Sequence, residues 1–200
     1  MENKKSFLSP KIIVILVVFG ILLPLFPILI TRQWMWWEAW LYAAVYIIGF
    51  IVSRALAAKR HPDILAERAQ FTDSSNTASF DKILSPLVGL GGGVIPVIAG
   101  FDKLFGWPPD FPMPVKVLAI VVLLAGYIIG SYALIENRFF SGVVRIQLDR
   151  GHEVVSTGPY SIVRHPGYSG AILSYIAVPF LLDTLWALIP ALILMVLLVI

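Results

Sequence analysis

Six apolar runs separated by polar segments organise this chain. They cover residues 12–30, 39–57, 83–101, 115–135, 168–182 and 184–200. The first four match the roughly 20 residues a helix needs to cross a bilayer. The last two are shorter and meet at Asp183. They predict either a tight transmembrane hairpin or one span followed by a re-entrant piece. Lipid offers backbone N–H and C=O groups no partners, so such runs form helices that satisfy their own hydrogen bonds. The expected fold is all-α: a polytopic membrane helix bundle, one domain over residues 1–200, with about six transmembrane helices. Five is the count if the last two runs share one span.

Composition agrees, with 58% of the 200 residues hydrophobic and 14% charged, a balance that soluble domains rarely sustain. Charge then orients the bundle. With Met1 inside, the inner segments 1–11, 54–82 and 136–167 hold 12 Lys and Arg residues, and the outer segments hold 3, namely Arg32, Lys103 and Lys116. This positive-inside bias predicts both termini in the cytoplasm. Trp34, Trp36, Trp37 and Trp40 fall where the outer interface is expected, and amphipathic rings settle there. The first run lacks a small-residue cleavage site and is expected to stay as a helix. The chain has no cysteine, which excludes disulfides, thiolate nucleophiles and Cys-based metal sites. Its net charge of +3 suits inner loops beside an anionic leaflet, and nothing points to nucleic acid.

The two inner loops, 58–82 and 136–167, are the long ones, and such loops are where function concentrates. In the first, DILAERA predicts a short surface helix with Pro62 and Asp63 at its start, and Ser74 to Ser79 reads as flexible. Glycines recur four apart inside the spans, at Gly89/Gly93 and Gly126/Gly130, a spacing that lets helices approach closely. Gly91-Gly92-Gly93 with Pro96 predicts a bend in the third helix, and a bent helix could leave a lateral opening for a lipid-like substrate.

Chemistry gathers in residues 145–170, RIQLDRGHEVVSTGPYSIVRHPGYSG. Asp149-Arg150-Gly151 signals a turn, His152 to Val155 a short extended piece, and Ser156 to Pro159 a second turn. Arg164-His165-Pro166 then leads into an apolar helix whose first turn accepts proline. Free N–H groups and the dipole at that helix start, with Arg164 beside them, favour a carboxylate or phosphate. His165 donates or accepts near neutral pH, and the faces of Tyr160 and Tyr168 attract cations. The segment suits a ligand with an anionic end, a cationic centre and a flat ring. S-adenosylmethionine has all three, but a nucleotide or a phospholipid head group remains open on these grounds. So does a simpler reading, in which Arg164 snorkels to lipid phosphates and the two tyrosines anchor the interface. The three histidines lack metal-ligand spacing, so no metal is expected.

The stretch from Gln147 to Gly170 resembles the isoprenylcysteine carboxyl methyltransferase family and its phospholipid methyltransferase relatives. The resemblance rests on HEVV at 152–155, on Gly158-Pro159-Tyr160, and on Arg164-His165-Pro166-Gly167-Tyr168. More loosely, HPDILAERA and DKILSP extend it to roughly residues 60–200. It implies an integral membrane enzyme that uses S-adenosylmethionine. Gln147, His152, Glu153, Val154 and Val155 would then line the cofactor, and Tyr160, His165, Pro166, Gly167 and Tyr168 would complete its wall. Arg164 would hold an anionic group or brace the loop, and Arg164 and His165 are the implied catalytic pair.

The same resemblance implies methyl transfer to a lipid-like or prenylated acceptor, carboxyl O-methylation first, at the cytoplasmic face. The protein would be multi-pass, in the cell membrane if the source is prokaryotic, with the bilayer and the acceptor as its partners. Family members continue into a charged tail that helps close the pocket. Thr184 to Ile200 carries no Lys or Arg, so that tail is expected to be absent. Two rivals stand beside this reading: an NADPH-dependent membrane reductase of related architecture, and a non-catalytic lipid-binding or scaffold protein.

Overall fold

The computed structural model describes residues 10–68, 81–107, 109–142, 147 and 150–199. Ser74 to Ser79, Arg145 and Asp149, each assigned a role from the sequence, lie outside the described residues. Every regular element among the described residues is helical.

The first run forms one continuous helix. It comprises α1 (Pro10–Val17), a π-helical turn at Val18–Leu22, and α2 (Leu23–Thr31). Prolines inside a helix lack an N–H and crowd the preceding turn; the widened π turn directly before Pro24 absorbs that mismatch. Arg32 ends the helix in a left-handed conformation with φ 53°, its N–H donating to the Ile28 carbonyl. The next helix, α3, runs over Trp37–Arg60 and is about 36 Å long. A short α4 (Ile64–Arg68) comes next, where DILAERA predicted one.

The third run is α5 (Asp81–Gly91) and α6 (Val94–Phe105), bent by 40° at Gly92-Gly93. The expected bend is there, but the glycine run is filled rather than open. Side chains of Leu194, Tyr175 and Leu23 lie against Gly91, Gly92 and Gly93 respectively. Helix α7 (Met113–Glu136) runs the length of the bundle beside α3. Helix α8 (Pro166–Leu181) and α9 (Leu188–Val199) form a hairpin whose turn places Asp183 at φ 54°.

Three helical stretches are long and apolar enough to cross a membrane: Ile13–Thr31, Trp37–Arg60 and Met113–Glu136. The bent pair α5–α6 makes a fourth if it acts as one span. Helices α8 and α9, at 16 and 12 residues, fall short of the roughly 20 a perpendicular span requires.

The chain's alternation gives the bundle two distinct ends. One carries Trp36, the start of α7 and the α8–α9 turn; the other carries Arg60, Glu136 and the start of α8. Packing differs between them. The buried core consists of Ile28, Trp36, Ala39, Tyr42, Ile95, Ala99, Ala119, Leu123, Val178, Leu181, Leu182 and neighbours, all in the half nearer Trp36. A second, small cluster of Ala57, Ile64 and Leu134 seals α4 onto α3 and α7. Between these, helices are loosely covered: Asp81 is the only buried residue of α5. Over residues 13–22 of the first helix, Gly20 alone is buried.

Two helices meet at backbone contact. A Cβ at Gly170 of α8 would lie 2.5 Å from the Gly126 carbonyl oxygen and 2.7 Å from the Gly130 nitrogen of α7. The Gly126/Gly130 pair therefore serves close helix approach as its spacing predicted. Gly89 does not, since a Cβ there would meet nothing within 4 Å.

Candidate functional site

The polar segment between α7 and α8 is pinned to the bundle at two places. Glu136, the last residue of α7, accepts hydrogen bonds from Arg60 Nη1 at 2.7 Å and Thr157 Oγ1 at 2.5 Å. Gly158 comes next at φ 56°, where a Cβ would stand a tight 3.0 Å from Glu136 Cγ and 3.1 Å from the Tyr132 hydroxyl. Only glycine takes that backbone conformation without cost. A 3₁₀ turn over Gly158–Ser161 then lays Tyr160 on α7, where its hydroxyl donates to the Ala133 carbonyl at 3.3 Å.

The second pin is built around Arg150. Its guanidinium donates to Asp63 Oδ2 at 2.8 and 3.2 Å, to the Arg138 carbonyl at 3.0 Å, and to Gln147 Oε1. Gln147 is 1% exposed, and its Nε2 donates to the Phe139 carbonyl at 2.8 Å. Its backbone N–H donates to His152 Nδ1 at 3.1 Å, and the His152 ring stacks on Phe139 at 4.8 Å. Gln147 and His152 thus hold the loop together through atoms that a ligand would otherwise use. Both amide ends of Gln147 and one imidazole nitrogen of His152 are engaged, leaving Nε2 of His152.

Asp63 lies outside the spans and its ionisation controls this pin. Burial would raise its pKa, but the hydrogen bond and charge of Arg150, with Arg138 behind, outweigh that and hold it below the ordinary carboxylate value. A carboxylate depressed in this way stabilises the fold above its unfolded pKa and loses that contribution as pH falls through the folded one. Hydrogen exchange at the Arg150 and His152 amides, both bonded to the Gln147 carbonyl, should accelerate beyond the intrinsic rate change once pH drops below about 4. Asp63→Asn should show the faster exchange already at neutral pH. Protection independent of pH in the wild type would remove this role for Asp63.

Of the remaining sequence-predicted residues, most are exposed, and Pro166 and Gly167 face the bundle. Glu153 and Val154 are exposed on a stretch without regular structure, and Val155 is half-buried. Arg164 is exposed, with no ion-pair partner among the described residues. His165 caps α8, its ring stacked on Tyr168 at 5.3 Å and 16°. Pro166 occupies the first helical position and is buried. Gly167 lies against the Phe140 ring, 2.7 Å from where its Cβ would stand. The candidate residues therefore fall into two groups: Gln147 with His152 around Phe139, and Arg164, His165 and Tyr168 at the start of α8. Tyr160 belongs to neither, being tied to α7.

Sequence reasoning passed over the residues that position this loop. Arg60 and Arg138 counted only as inner positive charges, and Arg150 as that and as part of a turn, yet each engages Asp63 or Glu136. A signal was available, since Asp63 and Glu136 are isolated acids at helix ends facing that basic set. At the other end of the bundle, a cavity of about 450 Å³ opens among Gln33, Trp34, Trp37, Glu38 and Lys103. It is separated from the loop by the length of α3.

Residues 117–200 match the model of the Isoprenylcysteine carboxyl methyltransferase (ICMT) family. Among curated proteins, the chain is similar to a "Probable protein-S-isoprenylcysteine O-methyltransferase" of Oryza sativa subsp. indica and to one of Oryza sativa subsp. japonica. Each is 26% identical over 137 residues, which is 68% of this chain and 66% of the relative. The chain thus matches about two thirds of the length of those proteins. No solved structure matches it. The matched segment contains α8, the loop before it and nearly all of α7, so the likeness to the isoprenylcysteine carboxyl methyltransferase family falls on the part of the chain that carries the candidate residues.

Proposed function

We propose that this protein is an S-adenosylmethionine-dependent methyltransferase that methylates the carboxyl group of a lipid-like or isoprenylated acceptor at the cytoplasmic membrane face. The observation that carries this reading is the cluster at the start of α8. An unpaired Arg164, a stacked and accessible His165–Tyr168 pair and the free first turn of α8 stand together, inside the segment that matches the family model. The positive-inside charge bias supports the cytoplasmic side.

The residues fit the cofactor by chemistry. Arg164 and the first-turn N–H groups of Gly167 and Tyr168 suit its carboxylate. The ring faces of His165 and Tyr168 suit its sulfonium and adenine. Glu153, Val154 and Val155 would line the cofactor on a stretch that Gln147 and His152 hold in place. When bound, S-adenosylmethionine would supply a methyl group activated on positive sulfur, and a carboxylate acceptor has no proton to lose. The protein therefore needs no general base for a carboxylate acceptor. Its contribution is to align the two reactants and exclude water. An amine acceptor would first have to lose a proton, and His165 would be the candidate base.

Calorimetry of S-adenosylhomocysteine binding to the detergent-solubilised protein tests this. Arg164→Ala and His165→Ala should each weaken binding roughly tenfold, about 1.4 kcal/mol, with thermal stability unchanged, because both side chains are exposed. Unaltered affinity in both variants would remove the loop from the cofactor site. Binding of NADPH in place of S-adenosylhomocysteine would turn the assignment to a reductase, and failure to bind either would leave a scaffold.

A further inference from the structure

Resting on the methyltransferase reading above, we propose that Arg54 binds the carboxylate of the acceptor within the membrane, in the loosely packed half of the bundle. Arg54 lies six residues before the end of α3, about 9 Å below Arg60 along the helix. No carboxylate lies within ion-pair distance of it among the described residues. Its guanidinium donates to Ser53 Oγ at 2.9 Å and stands 4.0 Å from the centre of the Phe50 ring.

An unpaired cation at such depth is costly, and a snorkelling arginine reduces that cost by reaching toward the nearer head groups. Arg54 reaches the other way. Phe50 is one turn deeper than Arg54, so the guanidinium folds back toward the middle of the bundle. It ends on a continuous face of α3, where Tyr46 stacks on Phe50 and Tyr127 of α7 meets Tyr46 edge-on at 5.6 Å. On the far side, Phe50 lies against Gly20 of the first helix. Over residues 13–22 the first helix carries no buried residue other than Gly20, and α5 none beyond Asp81. The result is a thinly covered aromatic face beside one cation that has no carboxylate partner among the described residues.

An amphiphile with a single anionic head and an unsaturated or branched apolar chain matches both features. The head would take a charge-assisted, two-point contact with guanidinium, and the chain would cover the Tyr46–Phe50 face. Arg54 would then select carboxylic acceptors and set their depth below the α8 start, while Arg164 serves the cofactor. Two cations at two levels would keep two anionic groups apart.

The test is direct binding of N-acetyl-S-farnesylcysteine and of its carboxamide to the protein in nanodiscs, for wild type, Arg54→Gln and Arg54→Lys. Wild type should prefer the acid to the amide by roughly tenfold, the value of one charge-assisted contact. Arg54→Gln should lose that preference and Arg54→Lys keep part of it, while S-adenosylhomocysteine affinity stays within about twofold in both. An equal preference for the acid in wild type and Arg54→Gln, or none in wild type, would overturn the proposal. So would loss of co-purifying anionic phospholipid from Arg54→Gln with acid preference retained, which would assign Arg54 to the bilayer. Should Arg54→Gln fail to fold, the wild-type and Arg54→Lys comparisons still decide. Methyl transfer by wild type is measured in parallel: acid preference without transfer would sink the enzyme reading and leave the anion site standing.

Discussion

Lys116→Met should destabilise the protein by roughly 3–5 kcal/mol, the loss expected when one partner of a buried ion pair is removed. Lys116 is 6% exposed, and its ammonium stands 2.6 Å from Glu38 Oε1 and 2.7 Å from Asp183 Oδ2. Glu38 and Asp183 are themselves 6% and 3% exposed. Without the lysine, two carboxylates face each other in a poorly solvated site with no counter-charge, and each must take up a proton or draw in water. The cluster joins α3, α7 and the α8–α9 turn, and Asp183 also accepts the Phe111 N–H at 3.0 Å. Its loss should therefore loosen three contacts at once. The triple variant Lys116→Met, Glu38→Gln, Asp183→Asn should recover most of the loss, since no charge is left unpaired and asparagine tolerates the left-handed backbone at 183. Thermal unfolding in detergent checks both. A Lys116→Met protein as stable as wild type would mean that water already reaches the cluster.

The runs of apolar residues located every long helix to within a few residues, because a segment that cannot leave its backbone unpaired in lipid has little choice of conformation. The run 39–57 became α3, 115–135 became α7, and the glycines at 91–93 became the break between α5 and α6. Partners were less legible. Lys116 counted as a loop charge near the outer face, whereas it sits in the first turn of α7 and is buried by Glu38 and Asp183. The clue was that each of these three charges stands alone at the edge of an apolar run. Arg54 was treated in the same way, as part of a basic inner segment, although its side chain turns into the bundle. Charge sums along a sequence carry topology but not side-chain direction, and direction separates an anchoring cation from one inside the bundle.

The candidate site divides along the same line. Its chemistry was legible, because Arg-His-Pro-Gly-Tyr before an apolar helix places a cation, an imidazole and a phenol around one helix start. Its mechanics were not. Gln147 carries no sign in the sequence that its amide would be consumed by Phe139 and Arg150. Nor does Glu136 show that it would bridge Arg60 and Thr157. Those pins connect residues 63, 136 and 150, and contacts of such separation depend on how the helices are arranged in space.

Gly170→Ala should cost roughly 1–3 kcal/mol or more, as forced overpacking does, and should weaken cofactor binding although residue 170 touches no ligand group. The added methyl would sit 2.5 Å from the Gly126 carbonyl oxygen, 2.7 Å from the Gly130 nitrogen and 3.0 Å from the Gly130 α-carbon. All three are backbone atoms of a neighbouring helix, so no side chain can swing away and α8 must move as a body. Pro166 to Tyr168 lie one turn earlier on the same helix, and they carry the proposed cofactor contacts. A shift of even 1 Å there moves the helix start relative to Arg164 and to the Glu136–Thr157 pin, so lost packing and lost affinity should appear together. Gly89→Ala is the matched control. It makes the same chemical change in a helix, but its methyl would meet nothing within 4 Å, so the gain in helix propensity should leave stability equal or raised by roughly 0.5–1 kcal/mol. Thermal unfolding and S-adenosylhomocysteine calorimetry on the two variants separate the cases. If Gly170→Ala unfolds and binds like Gly89→Ala, α8 does not take its position from the α7 backbone, and the loop pins at Glu136 and Arg150 must place the site unaided.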